Sequence, residues 1–281
     1  MRIWLAQTNP VLGDIDENIV RIQNVIDSVS ADGKSGLLVF PELSVTGYAL
    51  GEAWPKHGLA LDDISSRIKC PGGISAIVGF AEVRGDRLYN SAVLIGSSKA
   101  NVVQRKLYPV TYLPFNEIAH FSPGESLESF ALEEFMATIL ICNDAWHPSV
   151  PLLAGLQGTN LMIIPTNSSK YGSNRETWSL LSRYYAIIYE SYVVFVNRSG
   201  QEDSWDFWGG SELISPTGEV LVRAGSDEEI CYADISISEV NKVRESLPIM
   251  QEEDPILTHR LLEIYIANRH SVNKEGSNEC L

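Results

Sequence analysis

Short, continuous runs of apolar residues recur along the chain and alternate with segments of helical periodicity. Such runs have the length of strands buried on both faces, and apolar residues three and four positions apart indicate amphipathic helices. The predicted strands cover residues 2–8, 36–40, 74–83, 88–95, 102–106, 137–142, 161–165, 192–197, 210–215, 219–223 and 229–234. The predicted helices cover residues 15–29, 59–68, 150–157, 175–190, 236–245 and 256–269. This alternation predicts an α/β protein with buried sheets and outer helices.

The number of strands also bears on the domain organisation. About ten strands crowd a single twisted open sheet, so two sheets are expected. No linker rich in proline, glycine or serine divides the chain. We therefore expect one domain over residues 1–245, followed by a C-terminal tail, 246–281, that packs on the domain or on a second subunit.

Charge and cysteine usage exclude several classes of partner. The formal net charge of −15 repels nucleic acid and anionic membranes, so neither is an expected partner. No apolar run is long enough to span a membrane, and the first residues lack the pattern of a secretory signal. The four cysteines lack the spacing of a zinc site or a disulfide framework, which predicts reduced thiols, a cytoplasmic protein and no metal.

Glu42 is the first candidate functional residue. It follows the predicted strand 36–40 and Pro41. A carboxylate that leaves the core at this point is partly buried, which raises its pKa and suits a general base near neutral pH. The alternative is a structural glutamate that caps a loop or pairs with a surface lysine.

Lys106 closes another predicted strand, 102–106, and is the second candidate. A lysine at the end of a buried strand can hold a fixed positive charge where an oxyanion develops. The alternative is that Arg105 and Lys106 are solvated charges at the end of a strand.

Cys142 ends a third predicted strand, 137–142, just before a predicted helix. A thiol in this position resembles a nucleophile elbow, where the N-terminus of a helix lowers the thiol pKa and backbone N–H groups face a bound anion. The alternative is a small buried apolar residue, which is a common role of free cysteine. Cys70, Cys231 and Cys280 lack this setting and are interpreted as structural.

Other catalytic patterns find less support. His147 would form a papain-like pair with Cys142, but its position five residues later and before Pro148 predicts that it points away. The sequence contains no G-x-S-x-G, no G-x-x-x-x-G-K-[ST] and no G-x-G-x-x-G motif. A serine hydrolase, a P-loop enzyme and a dinucleotide-binding enzyme are therefore unsupported.

Together the three segments resemble the nitrilase superfamily of carbon–nitrogen hydrolases, in which Glu, Lys and Cys follow in this order. The resemblance covers residues 2 to 235. It is carried by Ala6-Gln7-Thr8-Asn9-Pro10, Phe40-Pro41-Glu42 with Thr46-Gly47-Tyr48, Lys106 with Leu113-Pro114, Glu117 and Pro123-Gly124, Cys142-Asn143-Asp144-Ala145-Trp146, Pro165-Thr166-Asn167, and Val196-Asn197-Arg198. In motif form the chain is most similar to the glutamine amidase domain of glutamine-dependent NAD synthetase.

The resemblance implies a four-layer αββα sandwich that forms a homodimer or a higher homo-oligomer. It also implies that Glu42 takes the proton of the Cys142 thiol, and that the thiolate attacks an amide and forms a thioester that water hydrolyses. Lys106 and the backbone N–H of Asn143 would stabilise the oxyanion, and Glu117 would hold Lys106 and the substrate. Neither a metal nor an organic cofactor is implied.

The expected activity is hydrolysis of a small linear amide or carbamoyl compound. A glutaminase that feeds ammonia to a separate synthetase is an alternative, although Asn143 stands where those glutaminases carry a glutamate. A nitrilase is a second alternative, but nitrilases carry Trp and Glu directly after the cysteine. An acyltransferase also stays open. A non-catalytic binding subunit is disfavoured because all three triad residues are present.

The candidate pocket residues lie in or beside the motif segments, and many are aromatic, which predicts a narrow and partly apolar pocket. They are Tyr48, Tyr112, Phe115, Trp146, Asn167, Lys170, Tyr171 and Trp178. The alternative for each aromatic residue is core packing. Lys170 or Arg175 would be the partner of a substrate carboxylate.

Overall fold

The computed structural model describes residues 1–96, 102–113, 115–170 and 175–275, with side chains described as far as residue 269. Its strands are β1 (Arg2–Gln7), β2 (Gly36–Val39), β3 (Ile74–Arg84), β4 (Arg87–Ile95), β5 (Val102–Arg105), β6 (Phe130–Leu132), β7 (Phe135–Ile139), β8 (Leu161–Thr166), β9 (Tyr192–Asn197), β10 (Ser199–Glu202), β11 (Trp205–Trp208), β12 (Glu212–Ile214), β13 (Val220–Arg223) and β14 (Glu229–Asp234). Its α-helices are α1 (Ile15–Ser30), α2 (Leu61–Arg67), α3 (Ser149–Leu156), α4 (Arg175–Ile188), α5 (Ile237–Ser246), α6 (Ile249–Glu252) and α7 (Pro255–Glu275). Short 3₁₀ helices cover Gly51–Lys56, Glu117–Ala119 and Cys142–Trp146.

The strands form two six-stranded sheets and one separate hairpin. The first sheet has the order β14-β1-β2-β3-β4-β5, the second has the order β13-β12-β9-β8-β7-β6, and β10 pairs with β11. β2 is parallel to β3, and β4 and β5 each reverse the direction. β2 and β5 therefore end at the same edge of the first sheet.

The two sheets pack face to face, with helices on their outer faces. Residues from both sheets, such as Leu5 and Ile163, share one buried cluster between the sheets. Ile22 of α1 packs in a second cluster with Trp4 of β1, and Trp178 of α4 packs in a third with Met162 of β8. The expected four-layer αββα sandwich is confirmed.

Two hairpins lack the usual sequence signal. β6 joins β7 through a turn in which Glu133 has a φ of 50°, and β10 joins β11 through a turn in which Asp203 has a φ of 52°. Tight hairpin turns usually place glycine or asparagine in this left-handed region. Glutamate is uncommon there, and Asp203 is followed by serine instead of the usual glycine, so the turn residues give no clear sequence signal for either hairpin.

The chain after β14 is helical. α7 exposes a row of large apolar side chains, each 45–72% accessible: Ile256, Leu257, Leu261, Leu262, Ile264, Tyr265 and Ile266. No helix within the described residues is both long enough and apolar enough to cross a membrane. The division into a domain, 1–245, and a tail, 246–281, stays a prediction.

Candidate active site

Glu42 lies in the turn that leaves β2, and its side chain is fully buried. The turn packs directly on β3, where a side chain at Gly79 would approach the backbone N of Leu43 to 2.4 Å. Asn90 of β4 donates a hydrogen bond of 2.7 Å to Oε1 of Glu42, and the backbone N–H of Asn167 donates one of 2.9 Å to Oε2. The carboxylate is thus held by groups from both sheets.

Lys106 follows β5 and is also fully buried. Its Nζ lies 2.7 Å from Oε1 of Glu42 and 2.8 Å from Oε2 of Glu117. Gly124 packs against this strand end, where a side chain would come within 2.5 Å of the Arg105 carbonyl oxygen. The ammonium therefore bridges two buried carboxylates.

Glu117 completes the charged cluster from the 3₁₀ helix Glu117–Ala119. Its Oε1 accepts a hydrogen bond of 2.6 Å from the hydroxyl of Tyr48, and its Oε2 accepts one of 3.2 Å from the backbone N–H of Val110. Together with Lys106, these donors orient both oxygens of the carboxylate.

Burial and mutual attraction set the charge states of Glu42 and Lys106. Burial raises the pKa of Glu42 above its ordinary value, although Lys106 acts in the opposite direction. Burial alone would lower the pKa of Lys106, but Glu117 and Glu42 outweigh it and raise that pKa well above its ordinary value. Lys106 is therefore a fixed cation, and Glu42 is a carboxyl group that can accept a proton at a higher pH than an exposed glutamate.

Cys142 occupies a tight turn between β7 and the following 3₁₀ helix. Its φ of 47° lies in the left-handed region, which is uncommon for a residue other than glycine and occurs often at functional sites. The turn is braced by the buried carboxylate of Asp144, which accepts hydrogen bonds from the backbone N–H groups of Ile141, Leu107 and Tyr108. These bonds also join the cysteine loop to the segment that follows Lys106.

The expectation of a lowered thiol pKa at Cys142 is wrong. Burial and the nearby carboxylate of Glu42 raise the pKa of the thiol well above its ordinary value, against the opposing effect of Lys106. The helix that begins at Cys142 is a single 3₁₀ segment of five residues, too short to carry a helix dipole that would outweigh burial. The resting thiol is therefore neutral, and a base is needed to form the thiolate.

Asn143 and His147 face the segment after Lys106. The side-chain amide of Asn143 donates a hydrogen bond of 2.9 Å to the carbonyl of Tyr108. The ring of His147 stacks on the ring of Tyr108 with 3.6 Å between centroids, and burial lowers the pKa of His147. His147 is thus engaged in stacking on Tyr108, and the expectation that it points away from Cys142 stays a prediction.

A cavity of about 290 Å³ opens in front of the cysteine. Its lining combines aromatic rings with a few polar groups: Tyr48, Val110, Tyr112, Phe115, Glu117, Cys142, Asn143, Trp146, Asn167, Ser168 and Trp178. Glu42 and Lys106 lie behind this lining. A small, mostly apolar cavity with a few convergent polar groups is typical of a site for a small molecule.

Most of the pocket residues proposed from the sequence line this cavity, but Lys170 and Arg175 do not. Lys170 is exposed and pairs with Asp206 at 2.6 Å. Arg175 donates a hydrogen bond of 2.8 Å to the carbonyl of Ala224. Tyr171 lies outside the described residues.

Several residues of the site could not be identified from the sequence alone. Asn90 is one of several polar residues in β4, and its contact with Glu42 depends on the register of β3 and β4. Glu202 accepts hydrogen bonds from the backbone N–H groups of Tyr48 and Ala49, and it pairs with the buried Arg198. The Asn197-Arg198 motif was visible in the sequence, but its partner Glu202 was not.

Comparison with known proteins places this chain in a family. The sequence model of the carbon–nitrogen hydrolase family matches residues 2–245. An (R)-stereoselective amidase from Pseudomonas sp is 29% identical over 265 residues, which cover 92% of this chain and 93% of the amidase. The glutamine-dependent NAD(+) synthetase of Thermotoga maritima is 28% identical over 250 residues, which cover 85% of this chain and 42% of the synthetase.

The fold agrees with solved structures. A double mutant of the amidase from Nesterenkonia sp. AN1 in complex with acrylamide superposes with a TM-score of 0.79 at 22% identity, over 93% of this chain and 97% of that one. The resemblance to the nitrilase superfamily is confirmed. The chain belongs to the carbon–nitrogen hydrolase family, whose members act on carbon–nitrogen bonds other than peptide bonds.

Proposed function

We propose that this enzyme hydrolyses a small linear amide or carbamoyl compound through a thioester on Cys142. The observation that carries the proposal is the position of Cys142, which lines the cavity in a strained turn beside the buried Glu42–Lys106–Glu117 cluster. The similarity to an (R)-stereoselective amidase along nearly the whole chain supports an amide as the substrate.

The first step is attack on the amide. Glu42 accepts the thiol proton of Cys142, and the thiolate sulfur forms a bond to the amide carbon. The carbonyl electron pair moves to oxygen, where the charge of Lys106 and the backbone N–H of Asn143 stabilise the oxyanion. Each such donor contributes on the order of 3 kcal/mol to the transition state.

The second step breaks the carbon–nitrogen bond. Protonated Glu42 returns its proton to the departing nitrogen, and ammonia or an amine leaves while the acyl group stays on sulfur. Water then attacks the thioester as Glu42 takes its proton, and the carbon–sulfur bond breaks to give the acid and the thiol. The raised pKa of Glu42 suits both its basic and its acidic role.

Glu117 and the aromatic residues have positioning roles in this proposal. Glu117 lines the cavity and holds Lys106, so it orients the cation and contacts the substrate. Tyr48, Tyr112, Phe115, Trp146 and Asn167 line the cavity and would contact the acyl group. No step requires a metal or an organic cofactor.

A glutaminase subunit is the second candidate function. It is supported by the match to glutamine-dependent NAD(+) synthetase, of which this chain spans 42%. Such a subunit would release ammonia from glutamine efficiently only when a synthetase partner is added. Ammonia release from glutamine with and without a synthetase chain separates the two functions.

We further propose that the chain forms a homodimer or a higher homo-oligomer and acts in the cytoplasm. The exposed apolar side chains of α7 support association, because large exposed apolar surfaces mark contact sites. Free thiols at Cys70, Cys142 and Cys231 support a reducing compartment. Light scattering on the full chain tests the first proposal, and a monomer at micromolar concentration would contradict it.

The thioester is tested by trapping it. The enzyme is mixed with a panel of amides, quenched in acid within milliseconds, and digested for mass spectrometry. We expect an acyl mass on the peptide that contains Cys142 and none on the peptide that contains Cys231, whose thiol is also half-buried. The Cys231→Ala enzyme, in which Cys142 is intact, serves as the control. If this enzyme hydrolyses the amide but no acyl mass is found on the Cys142 peptide, the covalent route is contradicted.

A further inference from the structure

The cavity in front of Cys142 contains no positively charged side chain among the described residues that line it. Five of its eleven lining residues are aromatic, and its ionisable groups are tyrosines, the thiol and the carboxylate of Glu117. The acyl group of a substrate would therefore contact aromatic rings and one acidic side chain, that of Glu117.

Three cations that the sequence suggested for the site do not line the cavity. Lys106 is held by Glu42 and Glu117, with Nζ–O distances of 2.7 and 2.8 Å. Lys170 pairs with Asp206, and Arg175 donates to the carbonyl of Ala224. Among the described residues, a substrate carboxylate would thus find no cationic partner in the cavity lining and would lie near the carboxylate of Glu117.

One polar group in the lining suits a neutral ligand. The side chain of Asn167 is 3% exposed, and neither its amide oxygen nor its amide nitrogen has a hydrogen-bond partner among the described residues. A buried amide without partners is costly, so a ligand that both donates and accepts a hydrogen bond would satisfy it. A carboxamide or another uncharged polar group has this property.

Resting on the proposed amidase function, we propose that the substrate is an uncharged amide with an apolar aliphatic or aromatic acyl group. Its carboxamide contacts the side chain of Asn167 beside Cys142, and its apolar part packs against Tyr112, Phe115 and Trp146. Amides that carry a carboxylate, glutamine included, are poor substrates, because the carboxylate would lose part of its hydration without gaining a cationic partner from the lining and would lie near the carboxylate of Glu117.

The test compares two amides of equal chain length, pentanamide and glutaramate. Pentanamide ends in a methyl group where glutaramate ends in a carboxylate. We expect kcat/KM for pentanamide to exceed that for glutaramate by about 10-fold or more, because the carboxylate is partly desolvated and has no cationic partner in the lining. Equal or greater kcat/KM for glutaramate or glutamine would overturn the proposal and leave the amidase function intact. No Cys142-dependent release of ammonia from any amide would overturn both.

A charge introduced into the lining tests the cause of the preference. Trp146 is 39% exposed at the cavity, so an arginine there keeps its charge near solvent. Trp146→Arg should raise the kcat/KM ratio of glutaramate to pentanamide by about 10-fold or more, whereas the matched Trp146→Leu should not. An equal change in both variants would overturn the electrostatic explanation.

Discussion

The backbone N–H of Asn167 donates a 2.9 Å hydrogen bond to Oε2 of Glu42, across 125 positions of the chain. Asn167 follows β8 of the second sheet, and Glu42 follows β2 of the first. The same backbone N–H also favours the thiolate of Cys142 and so acts to lower its pKa, against the stronger effect of burial. The base and the nucleophile are therefore brought together only when both sheets have packed.

Removal of the base should nearly abolish turnover. Glu42→Gln keeps the shape of the side chain but cannot accept the thiol proton. We expect kcat/KM for an amide to fall by about 10² to 10⁴, the usual contribution of a general base. Steady-state kinetics at pH 7 measure this loss.

Glu82 provides a matched control for this variant. It is also a buried carboxylate, and it pairs with one cation, Arg105, but it does not line the cavity. Glu82→Gln should reduce the free energy of unfolding while kcat/KM stays within about a factor of three. A comparable loss of kcat/KM in both variants would show that the Glu42→Gln effect is structural.

The pH dependence should follow the raised pKa of Glu42. A raised pKa means that the protonated, inactive form persists to higher pH, so activity is lost as the pH falls toward and through that pKa. We expect the acidic limb of the kcat/KM profile to lie above pH 4.5, the ordinary pKa of a glutamate. A limb at or below that pH would contradict the assignment of Glu42 as the base.

The loss of the Glu42 carboxylate should lower the pKa of the Cys142 thiol. The carboxylate raises the pKa of Cys142, so Glu42→Gln should lower that pKa while turnover is lost. The rate of iodoacetamide labelling against pH, read on the Cys142 peptide, measures the shift. The midpoint should be above pH 9.0 in the native enzyme and lower in the variant, and an unchanged midpoint would exclude direct electrostatic contact.

The buried pair of Arg198 and Glu202 should contribute strongly to stability. Glu202 accepts hydrogen bonds from the backbone N–H groups of Tyr48 and Ala49, so it fixes the loop after Glu42. Arg198→Met leaves the carboxylate of Glu202 buried without a cation, and we expect a loss of about 3–5 kcal/mol in the free energy of unfolding. Urea denaturation measures it. The double variant Arg198→Met/Glu202→Gln should regain part of the loss, and no recovery would mean that packing rather than charge is responsible.

The hydroxyl of Tyr48 should stabilise the cluster through Glu117. Tyr48→Phe removes a hydrogen bond of 2.6 Å to a carboxylate but keeps the ring contacts with Phe115 and Trp205. We expect a loss of about 1.5–3 kcal/mol in the free energy of unfolding. The exposed Tyr184 gives the control, because Tyr184→Phe should change that energy by less than about 0.5 kcal/mol. Equal effects would contradict this role for the hydroxyl.

The parts of the site that follow strand ends could be predicted from the sequence. Glu42, Lys106 and Cys142 each come after a short apolar run, so the positions of these side chains at sheet edges follow from local patterns. The α/β class and the two sheets also followed from these patterns, and the four-layer arrangement followed from the resemblance.

Contacts that depend on register and on long-range packing could not be predicted. The bond from Asn90 to Glu42 requires the pairing of β3 with β4, and the pairing of Lys170 with Asp206 requires the β10–β11 hairpin. The prediction that the pKa of the Cys142 thiol is lowered was also wrong, because a sequence pattern indicates the turn at Cys142 but not how deeply the thiol is buried.

The most direct test of the account is ammonia release from uncharged primary amides by the native enzyme and by Cys142→Ala. The native enzyme should release ammonia with saturation kinetics, and Cys142→Ala should be inactive while its urea unfolding curve stays close to the native one. Cys231→Ala, which removes another half-buried thiol, should retain full activity. Ammonia release by Cys142→Ala at more than about one per cent of the native rate would contradict the thioester mechanism, because the loss of a nucleophile costs orders of magnitude in kcat.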